Sequence, residues 1–266
     1  MNEQDAVRQA ETPATVVTLV RDLGDLGVDR GMTLLVHSSL SALGWVCGGP
    51  VAVIQALLEV LGETGTLVMP SFSGSYSEPS HWVAPPVPEA WWATIRAETP
   101  AFDPAVTPTR KMGAVVECFR RWPGALRSAH PQTSFVARGP RAAPIVAGHA
   151  LHSILGEESP LARLYETDAH VLLLGVGHER NSSLHLAEYR ADFPTKREAD
   201  YGAPVLRAGR REWATWRDIV QDGEDFARIG AAFSEERCGR VAGGDARLFS
   251  QRAVVDFAVA WMAVNR

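Results

Sequence analysis

Ala169-His-Val-Leu-Leu-Leu-Gly-Val-Gly-His-Glu-Arg-Asn-Ser-Ser-Leu-His-Leu-Ala-Glu188 carries a strand into a capped helix. From Ala169 to Val176 the run is apolar except for His170 and closes in Gly-Val-Gly, the pattern of a strand covered on both faces of a sheet. Gly177 turns the chain. Asn181, Ser182 and Ser183 then offer side-chain oxygens to the unpaired N–H groups of a starting helix, and Leu184 onward reads as helix. His185 is thus expected near a helix start at the carboxyl end of a buried strand. Open α/β sheets bind their ligands beyond those ends, which favours a functional histidine over one that only caps a helix or packs in a core.

The same grammar extends outward. Val16, Val17, Leu19, Val20, Leu23 and Leu26 have helical spacing within residues 14–28, and Gly27 ends that helix. Met32 to His37 predicts a short buried strand, followed by Ser38-Ser-Leu-Ser41. Gly48-Gly-Pro50 opens a helix over Val51 to Leu61, with proline at a favoured first-turn position. Leu67 to Pro70 is the next strand. This strand-helix-strand unit predicts a right-handed parallel crossover and an α/β fold.

Residues 79–108 change character, with Pro79, Pro85, Pro86, Pro88, Pro100, Pro104 and Pro108 interleaved with Trp82, Trp91 and Trp92. They read as a surface excursion containing a short helix over Glu89 to Ala97, of the kind that serves as a lid or binding loop. Further on, the pattern predicts a helix from Met112 to Arg121, a strand from Thr133 to Ala137 and a weakly helical segment from Pro140 to Gly148. It ends with β structure over Pro204 to Trp216, its Arg207, Arg210 and Arg211 on a solvated face, and a last amphipathic helix from Leu248 to Val264. The excursion is expected to belong to a single domain spanning residues 1–266.

Composition narrows the function. In 266 residues, 46% hydrophobic content supports a substantial core, and a net charge of −5 argues against a general nucleic-acid binder. No apolar run is long enough for a membrane span and the first residues lack an apolar signal core, so a cytoplasmic protein with no membrane partner is expected. Cys47, Cys118 and Cys238 are scattered, which suggests neither a disulfide framework nor zinc. The eight histidines include no His-Glu-x-x-His or comparable set, so no metal is expected. The acidic stretch around Asp218, Asp222, Glu224 and Asp225 reads as a solvated helix start or as a wall for a cationic ligand.

Three loops offer chemistry. His37-Ser-Ser-Leu-Ser41 presents hydroxyls and backbone N–H groups that suit a pyrophosphate, although it is neither a Walker loop nor a dinucleotide fingerprint. In Thr107-Pro-Thr-Arg-Lys-Met-Gly113, Thr109 can cap a helix while Arg110 and Lys111 face an anion. In Arg127-Ser-Ala-His-Pro131, Arg127 has the forked geometry that grips phosphate, and proline holds His130 extended. A serine hydrolase would need a Gly-x-Ser-x-Gly elbow, and Ser73 lacks the first glycine.

Seven segments occur in order: Leu34-Leu-Val-His-Ser-Ser-Leu, Gly65-Thr-Leu-Val-Met-Pro-Ser, Phe102-Asp-Pro, Arg127-Ser-Ala-His-Pro, Gly156-Glu-Glu-Ser-Pro-Leu, Leu172-Leu-Leu-Gly-Val-Gly and Ser183-Leu-His-Leu-Ala-Glu188. As an ordered set spanning most of the chain, they resemble the aminoglycoside 3-N-acetyltransferase family, the antibiotic N-acetyltransferases that use acetyl-coenzyme A. The resemblance implies a three-layer α/β/α sandwich distinct from the common N-acetyltransferase fold, with the cosubstrate in a cleft at the strand ends. It also implies that His185 is the general base, oriented by Glu157 or, second, by Glu188 three positions along its helix.

On the same resemblance, Ser38, Ser39 and Leu40 would hold the pyrophosphate. Thr107, Thr109, Met112, Gly113, Arg127 and His130 would surround the nucleotide and pantetheine. Tyr76, Glu78, Asp103, Asp218, Asp222 and Asp225 would meet the polycationic aminoglycoside. The protein would confer resistance by acetylating the 3-amino group, as a monomer or homodimer. The Trp- and Pro-rich segment 80–99 departs from shorter members beside the presumed acceptor site. Other expectations compatible with the residues are acetylation of another amine, an α/β hydrolase using a loop serine with His185, and a non-catalytic module that sequesters cations.

Overall fold

The computed structural model describes residues 7–8 and 12–266. Its centre is a seven-stranded mixed sheet, ordered Leu126–Arg127 (β3), Phe135–Arg138 (β4), Thr66–Pro70 (β2), Thr33–Ser38 (β1), His170–Leu174 (β5), Gly244–Ser250 (β9) and Arg237–Val241 (β8). Strands β1 (Thr33–Ser38), β2 (Thr66–Pro70) and β5 (His170–Leu174) are parallel, with β1 between the other two. All five side chains of β2 are buried, as are the first five of β1, so the continuous apolar runs do reflect a sheet covered on both faces.

Alternation along those strands sorts the core into two layers. Leu34, Val36, Leu67, Met69, Leu172 and Leu174 pack with helices α1 (Val16–Leu26), α2 (Gly49–Leu61) and α4 (Gly113–Phe119). Leu35, Val68, Val171 and Leu173 face the other way, toward α5 (Ala142–Val146), α6 (Pro160–Glu166), α7 (Ser183–Arg190), α8 (Phe226–Ala232) and α9 (Gln251–Asn265). The architecture is therefore a three-layer α/β/α sandwich. Among the described residues no helix is long and apolar enough to cross a membrane.

The flanking strands are antiparallel: β4 (Phe135–Arg138) on β2, β3 (Leu126–Arg127) on β4, β9 (Gly244–Ser250) on β5 and β8 (Arg237–Val241) on β9. Leu248 and Phe249, expected to begin the last helix, instead belong to β9, which ends at Ser250. Ser250 separates the two elements by accepting from the Ala253 N–H at 3.3 Å. The β pattern around Pro204 to Trp216 becomes the hairpin β6 (Glu198–Arg207) and β7 (Arg210–Ile219). Its turn, Ala208-Gly209, has φ of 47° and 76°, the left-handed pair that matches strand twist in two-residue hairpins.

Within the Pro-rich excursion lies α3 (Trp92–Glu98). Arg211 is not simply solvated: its guanidinium donates to the carbonyls of Thr99, at 2.8 Å, and Arg96, fastening the hairpin to the end of α3.

Candidate active site

β1 is left toward β2 by the α2 crossover and is flanked on its other side by β5, so the carboxyl ends of β1 and β5 form a switch point where a sheet opens a crevice. A cavity of about 1090 Å³ lies there. Ser38, Ser39 and Leu40 line it at the end of β1, Met112 and Gly113 at the start of α4, and His185 in the first turn of α7. The Ser39 N–H donates to the Leu174 carbonyl at 2.9 Å, tying the first loop to β5. This close approach needs Gly175: its φ is +69°, and a Cβ there would sit 2.6 Å from Ala42 Cβ and 3.1 Å from the Ser39 oxygen.

His185 is held by its own helix. Its Nδ1 lies 2.6 Å from Glu188 Oε2, one turn along α7, and the Glu188 side chain is 1% exposed. The other carboxylate oxygen accepts from the Asp222 N–H at 2.9 Å and pairs with Arg266 Nη1 at 2.7 Å. A carboxylate only accepts, so this bond keeps a proton on Nδ1 and leaves the Nε2 lone pair for chemistry. Phe226 meets the imidazole edge-on, with ring centroids 4.8 Å apart. Ser182 holds the N-cap position of α7, but Asn181 is the side chain that accepts from the helix, taking the Ser183 N–H at 3.1 Å.

A second imidazole also lines the cavity. His37 is buried, its Nε2 has no hydrogen-bond partner, and its pKa is lowered to about 3 by burial first and then by repulsion from His185 and His178. It is neutral at neutral pH and a poor base. The buried Ser38 Oγ is likewise unpartnered, leaving it available to a ligand. Lys111 and Arg180 bring two cations to the walls, and Glu179 brings a carboxylate whose Oε1 accepts from the Gly177 N–H at 3.1 Å. Among the described residues no cluster of His, Cys, Asp or Glu is arranged to hold a metal.

Several expected residues lie elsewhere. Glu157 does not orient His185: it is exposed and forms a forked pair with Arg190 at 2.7 and 3.0 Å. Arg127 has its guanidinium spent on the protein itself. It donates to the Ser71 oxygen at 2.7 Å, Ser73 Oγ at 2.8 Å, Ser134 Oγ at 3.0 Å and the Thr107 oxygen at 2.5 Å. Burial lowers its pKa to about 10. It clamps the β2 end and does not line the cavity.

His130 is wholly buried. Its Nδ1 accepts the N–H groups of Gln132 and Thr133 at 3.2 and 3.1 Å, and burial lowers its pKa to about 4. Thr107 accepts from the Asp103 N–H at 3.0 Å, and Thr109 donates twice to Glu117, at 3.1 and 2.9 Å; both brace loops outside the cavity. Ser73 donates to the Pro108 oxygen at 2.8 Å and accepts from Arg127, so it is not a nucleophile facing His185.

The expected acceptor wall is also mostly committed to the fold. Glu78 pairs with Arg96 at 2.6 Å, and Tyr76 packs edge-on against Phe102. Asp103 accepts from the Ala105 N–H at 2.8 Å. Asp218 is buried, accepting from the Ile154 N–H at 2.8 Å and the Tyr189 hydroxyl at 2.7 Å. Asp225 is bound to Arg266 at 2.8 Å. Asp222 alone of the six has an exposed side chain next to the His185–Glu188 pair, through its backbone bond to Glu188. None of the six lines the cavity.

Arg180 and Glu179 stand between the strand and helix of the opening stretch, where a charged pair facing a helix start was a usable signal. Phe226 carried none, since its place depends on the fold of the chain after the hairpin.

The family model described as aminoglycoside 3-N-acetyltransferase matches residues 35–263. The chain is 45% identical over 263 residues to the prophage-derived aminoglycoside N(3')-acetyltransferase-like protein YokD of Bacillus subtilis, covering 97% of this chain and 96% of that protein. The crystal structure of YokD superposes with a TM-score of 0.96 over 98% of each chain. Aminoglycoside N(3)-acetyltransferase VIII of Streptomyces fradiae is 40% identical, with 98% and 96% covered. A structure of AAC-IIIb with CoASH superposes with a TM-score of 0.84 at 31% identity, covering 94% of this chain and 96% of that one. Fold and sequence agree over nearly the whole chain, which belongs to the aminoglycoside 3-N-acetyltransferase family.

Proposed function

We propose that this enzyme transfers the acetyl group of acetyl-coenzyme A to the 3-amino group of 2-deoxystreptamine aminoglycosides, in the cytoplasm and without a metal. The observation that carries the reading is the His185–Glu188 pair, 2.6 Å apart, opening onto a cavity at the sheet's switch point. A substrate ammonium must lose a proton before nitrogen can attack a thioester. That first proton leaves to bulk water; with Nδ1 protonated toward Glu188, His185 Nε2 takes the second proton, from the attacking amine, as the C–N bond forms. The tetrahedral intermediate collapses with cleavage of the C–S bond, and the leaving thiolate takes the proton back from the imidazolium.

The cavity fits the cosubstrate. Its volume suits a long ligand, the unpartnered Ser38 hydroxyl offers a donor to the developing oxyanion, and Lys111 and Arg180 supply counter-charge for phosphates. Ser39, Leu40, Met112 and Gly113 complete that wall. For the cationic acceptor, Glu179 inside the cavity and the exposed Asp222 beside the pair are the acids best placed.

Thiol release from acetyl-coenzyme A, measured against a panel of aminoglycosides, tests the reading. Release is expected with the panel, not with a compound whose 3-amino group is blocked, and not by His185→Ala. Release that needs no amine would overturn it in favour of hydrolysis, and an unchanged rate in His185→Ala would remove the proposed base.

A further inference from the structure

Among the described residues Glu188 is one of the most enclosed carboxylates, and its orientation toward His185 depends on what holds its far oxygen. That oxygen, Oε1, meets the guanidinium of Arg266, the residue following α9, at 2.7 Å. The same guanidinium is anchored on its other side. Nε donates to Asp225 Oδ2 at 2.8 Å, Nη2 to Asp225 Oδ1 at 2.5 Å and to the Asp222 carbonyl at 2.6 Å. Its Cζ lies 5.3 Å from the centre of the Phe193 ring, and the side chain is 8% exposed.

A closed circuit results: Asp222 donates its N–H to Glu188 Oε1 and accepts Arg266 through its carbonyl, while Arg266 itself binds Glu188. Burial opposes the charge on Arg266, but its bonds to Asp225 and Glu188 outweigh burial and raise its pKa. A buried carboxylate deprived of such a partner takes up a proton or swings toward water. Either change deprives His185 Nδ1 of its acceptor and allows the imidazole proton to move to Nε2, the atom that must carry the lone pair.

We infer that Arg266 is a positioning residue for the His185–Glu188 pair: it pins Glu188 Oε1 so that Oε2 keeps the imidazole proton on Nδ1. The acidic segment 222–225 thereby serves the pair from behind, as the anchor of a buried cation. The kinetic consequence rests on the acetyl-transfer reading; the tautomer does not.

The test follows the tautomer of His185 by ¹⁵N imidazole shifts near pH 8, assigned by the signal lost in His185→Asn, together with kcat and KM. The Nδ1–H tautomer is expected in the wild type. Arg266→Met should show a mixture with Nε2–H, and its kcat should fall about 10- to 50-fold with KM for acetyl-coenzyme A within about twofold. Arg266→Lys, which returns the charge without the fork, should recover most of the Nδ1–H form and of kcat.

A folded Arg266→Met that keeps both the wild-type tautomer and kcat would overturn the inference. Should that variant not fold, Asp225→Asn frees the guanidinium from its second anchor; a shift toward Nε2–H is then expected, and none would overturn the inference equally. A wild type that shows the Nδ1–H form, loses it in Arg266→Met and yet acetylates no amine would refute the acetyl-transfer reading while supporting this one.

Discussion

Glu188 Oε2 stands 2.6 Å from His185 Nδ1, and the two residues are three apart on a single short helix. The acceptor of the imidazole proton is thus built into the same element as the imidazole: the local backbone brings the two side chains together, and Arg266 and the Asp222 N–H hold the carboxylate's far oxygen. Side chains at i and i+3 share a helix face, which is what brings this pair together.

The pair predicts a specific loss. Glu188→Gln keeps the shape but not the charge, and an amide can turn its NH₂ toward Nδ1. We expect kcat to fall about 10- to 100-fold, with KM for acetyl-coenzyme A little changed. Glu188→Ala should in addition remove one of the two carboxylates that pair with Arg266, which keeps Asp225, and cost about 1–3 kcal/mol in stability. Steady-state kinetics and urea unfolding of the two variants check this. Wild-type kcat in Glu188→Gln would remove the carboxylate from the chemistry.

What the sequence reveals depends on how local the deciding interaction is. β1, β2 and β5 were legible because strands covered on both faces must be apolar throughout, and the loop at Ser38 and the helix start at His185 follow directly from them. β8 was not, since four of its five residues are exposed at the sheet edge and carry no apolar alternation. The competition between Glu157 and Glu188 turned on the same point. Glu188 lies within one helical turn of His185, whereas the forked bond of Glu157 to Arg190 spans 33 residues of chain. Likewise the acids at Asp218 and Asp225 looked like a solvated or ligand-facing wall because their buried partners, Ile154 and Arg266, lie 64 and 41 residues away.

Three buried histidines set an acid limit on stability. Burial lowers the pKa of His37 to about 3, of His130 to about 4, and of His149 well below its ordinary value. In the unfolded chain these rings titrate near 6.5, the ordinary value for histidine. Below that pH the unfolded state binds protons that the native state refuses, so stability is full above about pH 6.5 and falls as pH drops toward the native values. Each histidine should contribute a loss of about 2 kcal/mol between pH 7.5 and pH 5. Glu117, whose pKa is lowered to about 2 by its bond to Arg120, adds to the loss only below about pH 4.5. Urea unfolding at half-unit steps from pH 7.5 to pH 5 should show uptake of more than one proton. A flat profile would contradict the neutral burial of these rings.

The two classes of cation near the cavity should separate cleanly. Arg127 satisfies buried carbonyls and hydroxyls at the end of β2, so Arg127→Lys, with fewer donors and no fork, should lose about 2–4 kcal/mol in stability while the folded fraction keeps its KM for acetyl-coenzyme A. Lys111 and Arg180 are exposed on the cavity wall, and Lys111 gives its ammonium only to the Ala84 carbonyl at 3.2 Å. Replacing both by Ala should leave stability nearly untouched and raise that KM about 10-fold, a difference that shrinks as salt rises because exposed charges are screened. Titration of acetyl-coenzyme A at low and high ionic strength, beside thermal unfolding of both proteins, decides between them. If Arg127→Lys instead raised KM in a protein of wild-type stability, Arg127 would be a cosubstrate contact and its place as an internal clamp would be wrong.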